Sequence, residues 1–275
     1  MPPISTSARR SGPRPRNSTL LAGLFLVHAI ASSSPAAAQL VTIFEHLGST
    51  DPSTEGWLGS GGSPVPDDGG TGFDSWSTTD DTAIAASEAY LQTVPTETLE
   101  QGNQFGWTLS ARLRVVERPE EPNPDVADGS PALLYRDGAR TWQIHFGASN
   151  ITFLTSVATP SGNVLSETPI AVPGGTTAYR LYELKYDPES QTAALSIDGV
   201  AAASGLVGAP FGVGFPIPES VYWGSASTDG IGQGHFNLVR FAVEAPPVPA
   251  VAPAGWVVLT GLLVALGYRR LARTA

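Results

Sequence analysis

The stretch DDGGTGFDSWSTTDD, residues 67–81, gathers five carboxylates, Asp67, Asp68, Asp74, Asp80 and Asp81, among glycine, serine and threonine. A hard cation such as Ca2+ takes about six to eight oxygen ligands, supplied by loops flexible enough to wrap it. The segment therefore reads either as a Ca2+ site or as a solvated acidic loop. It holds no glutamate to close an EF-hand loop at the twelfth place. A second set, Glu183, Asp187 and Glu189, shares parity along one strand. Retaining glycosidases need two carboxyls about 5 Å apart across the scissile bond. Here Pro188 interrupts the strand and residues 187–190 read as a hairpin tip, so this order does not set two carboxyls across one cleft. Aromatic rings that could stack on sugars form a third set. Trp57 and Trp76 sit in Gly/Ser/Asp-rich segments and Trp223 lies beside Gly224, which makes these three the candidates for an exposed platform. Trp107 and Trp142 alternate with polar residues on apolar strand faces and read as core.

Nucleophilic chemistry finds little support. The chain has no cysteine and no G-x-S-x-G, and its histidines beyond residue 38 are His46, His145 and His235, far apart in sequence. No thiolate, no His-based metal spacing and no nucleophile motif is offered, so the expectation is a domain without catalytic residues. Four of the 15 basic residues lie in residues 1–38 and three in the last seven. Eight remain against all 25 acidic ones in residues 39–245, a net charge of −17. A surface this acidic repels phosphate backbones and excludes nucleic acid as a partner.

The elements that must position these groups are strands. In GWTLSARLRVV, residues 106–116, Trp107, Leu109, Ala111, Leu113 and Val115 share one face, while Thr108, Ser110, Arg112 and Arg114 share the other. ALLYRDGARTWQIHFG reads as a hairpin about Asp137-Gly138, followed by a strand over 150–156. Residues 179–186 and 192–197 form a second hairpin, and Asp198-Gly199 turns into 200–203. SVYWGSAS and GHFNLVRFAVE supply two further strands around a Gly-rich loop, 230–234. No segment from residue 106 onward shows a 3.6-residue period. Many short strands at steady spacing, with 30 glycines and 24 prolines in the chain, argue an all-β sandwich of two antiparallel sheets.

The two ends differ from this middle part. Residues 1–38 carry Arg9, Arg10, Arg14 and Arg16 and no acid, then an apolar run over 20–31, then Ala36, Ala37 and Ala38. That order is a secretory signal peptide, with cleavage expected between Ala38 and Gln39. At the other end a Pro-rich linker, 246–253, leads into an uncharged span, 254–268. Its length is about 22 Å as a helix, against a hydrocarbon core of about 30 Å. Arg269, Arg270 and Arg273 follow and can snorkel to headgroups, giving a C-terminal transmembrane helix with an Arg-rich cytoplasmic end, 269–275.

Two resemblances follow from these residues. The tail resembles the PEP-CTERM class of bacterial sorting signals, with a hydrophobic span, an Arg-rich end and Trp256 just before the span. Where that class has Pro-Glu-Pro, this chain has Pro246, Pro247, Val248 and Pro249. The resemblance implies a membrane partner and processing by an exosortase-like protease. The strand–turn–strand–Asp-Gly run of residues 182–200, with VYWGSAS and HFNLVRFAVE after it, resembles the concanavalin A-like lectin/glucanase superfamily, laminin-G-like members included. That resemblance implies a jelly roll over residues 41–244 whose first strand, 41–46, pairs beside the last, 236–243. It also implies calcium near loops such as 67–81. The expectation is thus an exported, envelope-held, lectin-like domain, 39–245, adhering to polysaccharide or matrix. A glycan-cleaving enzyme on the same fold and a ligand-free matrix protein are its alternatives.

Overall fold

The computed structural model describes residues 39–80, 88–117, 131–159, 162–210, 219–225 and 232–246. The expected signal peptide, Asp81, most of the Pro-rich linker, the 254–268 span and the arginine-rich end lie outside them. Among the described residues no helix is long and apolar enough to cross a membrane.

The strands are β1 (Leu40–Leu47), β2 (Leu58–Ser60), β3 (Ser63–Val65), β4 (Ser75–Asp80), β5 (Ala89–Thr93), β6 (Trp107–Glu117), β7 (Pro131–Arg136) and β8 (Arg140–Phe146). They continue as β9 (Asn150–Thr159), β10 (Gly162–Ala171), β11 (Arg180–Asp187), β12 (Thr192–Ile197), β13 (Val200–Leu206), β14 (Ala209–Pro210), β15 (Ser220–Ser225) and β16 (Gly232–Glu244). Among the described residues one α-helix, α1 (Thr96–Phe105), is present and precedes β6. One sheet runs β13-β12-β11-β6-β16-β4-β3 with β1 also beside β16, and the other runs β10-β9-β8-β7-β15-β5-β2 with β14 beside β8. β1 pairs antiparallel with β16, Val41 opposite Val243 and His46 opposite Val239, as the jelly-roll expectation required. The described residues fall in one unit, Ala38–Pro246.

Alternation in the sequence explains the layering. Trp107, Leu109, Ala111, Leu113 and Val115 of β6 are all buried, as are Tyr182 and Leu184 of β11 beside them. Leu133 and Tyr135 of β7, with Trp142, Ile144 and Phe146 of β8, face them from the other sheet. β16 keeps strict alternation only up to Phe236. A bulge between Phe236 and Leu238 inserts Asn237 and resets the parity, so that Val239, Phe241 and Val243 again point inward.

His46, one residue before the end of β1, is fully buried. Its ring stacks on Trp223 with centroids 4.7 Å apart, and Nδ1 lies 2.6 Å from Glu55 Oε2. Burial pushes its pKa below the ordinary value, against the raising influence of Glu55. The folded state thus favours the neutral ring. As pH falls below about 6.5 the unfolded chain takes up a proton that the folded chain resists, so stability declines until the lower folded pKa is passed. Urea midpoints at about pH 7.5 and about pH 5.5 should show the loss, and His46→Gln should flatten it. An unchanged slope in the variant would assign the loss to other groups.

Candidate functional site

The three tryptophans expected as an exposed platform are core residues instead. Trp57, Trp76 and Trp223 are 2%, 6% and 0% exposed. Trp223 stacks on Tyr90 at 4.9 Å and meets Trp57 edge-on at 5.8 Å, while Trp76 Nε1 donates to Tyr90 Oη over 3.1 Å. The glycine-rich setting has the opposite meaning from the one expected. It lets backbone lie directly on the rings: Gly62 has φ 77°, and a Cβ there would overlap Trp76 Nε1. Trp223 is buried because β15 is an interior strand, flanked by β5 and β7.

The aspartate-rich stretch is likewise a folded strap. Asp68 is 3% exposed. Its Oδ2 accepts from Arg114 Nε at 2.6 Å, from Tyr179 Oη at 2.7 Å and lies 2.7 Å from His235 Nδ1, and its Oδ1 meets Arg114 Nη2. Two of the partners, Arg114 and His235, come from one row of the sheet. Ser77, His235 and Arg114 are opposite one another on β4, β16 and β6. These bonds hold the Asp68 carboxyl down at a pKa of about 2 although burial alone would raise it. Asp74 Oδ1 accepts from Asp67 N at 2.8 Å and Asp67 Oδ1 from Gly72 N at 3.0 Å, so these oxygens close the loop on itself. The bulge residue Asn237 adds a tie, its Nδ2 donating to Asp74 O over 2.7 Å. Among the described residues no group of three or more His, Cys, Asp or Glu could hold a metal ion. The described members of the expected Ca2+ set, Asp67, Asp68 and Asp74, therefore form no such group: Asp68 is taken up by Arg114, Tyr179 and His235, and Asp67 and Asp74 each turn one oxygen to a backbone N–H of the loop. Asp80 ends β4, and Asp81 lies outside the described residues.

The carboxylates at residues 183–189 divide. Glu183 is half-buried in mid-strand, opposite Ser110 and Ser196. Asp187 and Glu189 lie at the hairpin tip as expected, with Glu189 N and Ser190 Oγ donating to Asp187 at 3.0 and 2.8 Å. These bonds hold the Asp187 carboxyl below the usual range. The expectation that Asp187 lines no cleft is wrong, while Glu183 is not among the cleft's lining residues. Asp187 and Glu189 edge a cleft of about 550 Å3, joined by Lys185, Tyr186 and Pro188 from the same hairpin, by Gln104 and Phe105 from the end of α1, and by Glu244 from the end of β16. That volume is in the range of small-molecule sites, roughly 300–1,000 Å3.

Local structure explains why these segments meet. α1 stops at Gly106, whose φ of 116° turns the chain into β6 and whose backbone closes on Tyr186 O and the Glu244 side chain. Glu244 N donates to Gly106 O at 2.9 Å, and Gln101 Nε2 donates to Glu244 O at 3.0 Å. The helix end is thereby tied to the end of β16, while Trp107 pairs with Tyr186. Tyr186 is stacked on Trp107 at 5.3 Å and 9°, so this wall rests on the core. Lys185 Nζ lies 2.9 Å from Glu244 Oε1. The result is a partly aromatic cleft with several acceptors and an ammonium, suited to hydroxyl-rich ligands.

No protein-family model and no curated protein matches the chain. Among solved structures it resembles a carbohydrate esterase from the Shiga toxin-encoding bacteriophage phi24B, at 14% identity and a TM-score of 0.54, over 75% of this chain and 100% of that one. It is also similar to the binding domain of botulinum neurotoxin DC in complex with rat synaptotagmin II (10% identity, TM-score 0.46, 75% and 49% of the two chains). The binding domain of Paraclostridial Mosquitocidal Protein 1 gives 12% identity and a TM-score of 0.47, over 74% and 49%. The chain spans about half the length of these two toxin domains. The likeness to the phage protein shows the fold alone.

Proposed function

We propose that this is an exported, non-catalytic, concanavalin A-like domain that binds polysaccharide through the cleft between α1 and the β11–β12 hairpin. The cleft carries the reading: Phe105 offers a ring, Tyr186 a wall seated on the core, and Gln104, Lys185, Asp187, Glu189 and Glu244 offer polar atoms at one place. The phage protein of like fold is a carbohydrate esterase, which agrees with a saccharide ligand. Delivery rests on the sequence. Residues 1–38 direct export, and residues 254–275 hold the domain at the envelope until an exosortase-like protease acts on the PEP-CTERM-like tail. A shallow sugar site binds weakly, and display in many copies supplies avidity.

Phe105→Ala should remove most of the binding while leaving the melting temperature within a few degrees, because Phe105 is only half-buried. Affinity electrophoresis through gels containing a panel of polysaccharides measures this. Retardation unchanged by the substitution would refute the site. The competing reading, a glycan hydrolase, gains support from the three carboxylates in the cleft. It needs a protonated general acid, and Asp187, held below the usual carboxylate range, is unsuited to that role. New reducing ends released from any polysaccharide, and lost in Glu189→Gln, would decide for the enzyme.

A further inference from the structure

Resting on the saccharide-binding reading, we infer that the cleft selects an amine-bearing sugar, a 2-amino-2-deoxyhexose unit with a free ammonium group, over neutral or uronic-acid sugars. The charges at the cleft are unequal. Lys185 is its one cation, and it is tied to Glu244 at 2.9 Å. Lys185 also attracts Asp187 at the exposed hairpin edge, so one ammonium faces three carboxylates, Asp187, Glu189 and Glu244, and the cleft keeps a net negative charge. Asp187 uses one acceptor site on each oxygen for its own turn, toward Glu189 N and Ser190 Oγ. A carboxylate has about four lone-pair sites, so the others remain to take N–H donors from a ligand. The two turn bonds also fix the direction of the carboxylate, which lowers the cost of ordering it on binding.

A neutral sugar would use this edge only through hydroxyls. An ammonium on the ring makes charge-assisted bonds, about twice as strong as neutral ones. Phe105 can carry the apolar face of the same ring and attract the cation through its π-face. A uronate would meet two like charges at the cleft and a domain of net charge −17 behind them.

The test titrates the purified full-length protein at about pH 6 and about 150 mM salt, where long-range attraction is screened. The ligands are a β-1,4-linked glucosamine tetramer, its fully N-acetylated counterpart and a galacturonate tetramer. The amine should bind about tenfold more tightly than the acetylated form, and the galacturonate should give no heat. Glu189→Gln should remove most of that preference, weakening the amine tetramer far more than the acetylated one. Glu97→Gln with Glu100→Gln, two exposed acids in the first half of α1, removes more charge and should change nothing. Equal affinities for amine and acetylated forms, or binding of the galacturonate, with all binding lost in Phe105→Ala, would overturn the amine preference and leave the saccharide site standing. A preference retained in Glu189→Gln, or lost equally in the control, would assign it to the overall charge and also overturn the inference. No binding of any tetramer, or binding that survives Phe105→Ala, would overturn both readings.

Discussion

Trp107→Ala is expected to destabilise the domain by about 3–5 kcal/mol, a large part of a typical total of about 5–15 kcal/mol. Trp107 opens β6 and is fully buried. Its ring meets Tyr135 at 4.9 Å, Trp142 at 5.3 Å, Tyr186 at 5.3 Å and Phe241 at 6.4 Å, so it joins the two sheets and underlies the cleft wall. Alanine would leave a cavity that strands on both sides, locked in their ladders, cannot collapse to fill. Its Nε1 is buried and finds no acceptor among the described residues. Phenylalanine removes that polar group along with part of the volume, so Trp107→Phe should cost about 1–2 kcal/mol, well below alanine. Urea unfolding followed by circular dichroism measures both. Equal losses for the two variants would show that the site relaxes and that Trp107 is not the joint between the sheets.

Asp68→Ala comes second, at about 3 kcal/mol. The substitution leaves the guanidinium of Arg114 and the ring of His235 facing a site built for a carboxylate, and an uncompensated buried charge costs about 3–5 kcal/mol. Arg114 retains some solvent access, with 23% of its side chain exposed, which puts the loss at the lower end. Acid titration supplies an independent check. The Asp68 carboxyl ionises at about 2 in the folded state against 3.8 in the unfolded chain. A depressed folded pKa means stability that is fully present above 3.8 and is lost as pH falls through about 2. The lost amount is about 2 kcal/mol. Asp68→Ala should lack that acid limb. A double-mutant cycle with Arg114→Ala should return a coupling above about 1 kcal/mol. Additive losses would show that the strap is held by Phe73 on Tyr179, at 4.9 Å, and by Asn237 rather than by the carboxylate.

Most strands from residue 106 onward were legible, β10 and β14 excepted, because burial of one face imposes period two on the sequence. β6, β8, β11 and β12 all show it. The polar strands were not. β4 buries the polar residues Ser75, Ser77 and Thr78, so its sequence carries no apolar alternation. α1 has Leu99 and Phe105 as its only large apolar residues, too few to write a helical period. The misplacement of Trp57, Trp76 and Trp223 has a single cause. Glycine beside an aromatic residue signals either an open loop or a backbone pressed onto the ring, and only the sheet order chooses between them. The strap over Asp68 depends on contacts between residues 68, 114, 179 and 235, and no local pattern announces such a set. The cleft has the same origin, since Phe105, Asp187 and Glu244 meet only once β6 lies between β11 and β16.

The site assignment is tested most directly by hydrogen–deuterium exchange on the full-length protein, with and without a saturating oligosaccharide. Slowed exchange confined to peptides covering residues 101–106, 183–191 and 240–245 is the expected result, because these backbone segments build the cleft and are tied together through Gly106 and Glu244. Protection that falls instead on residues 57–80 or 220–225, with the cleft peptides unchanged, would contradict it and return the ligand to the strap and its buried tryptophans.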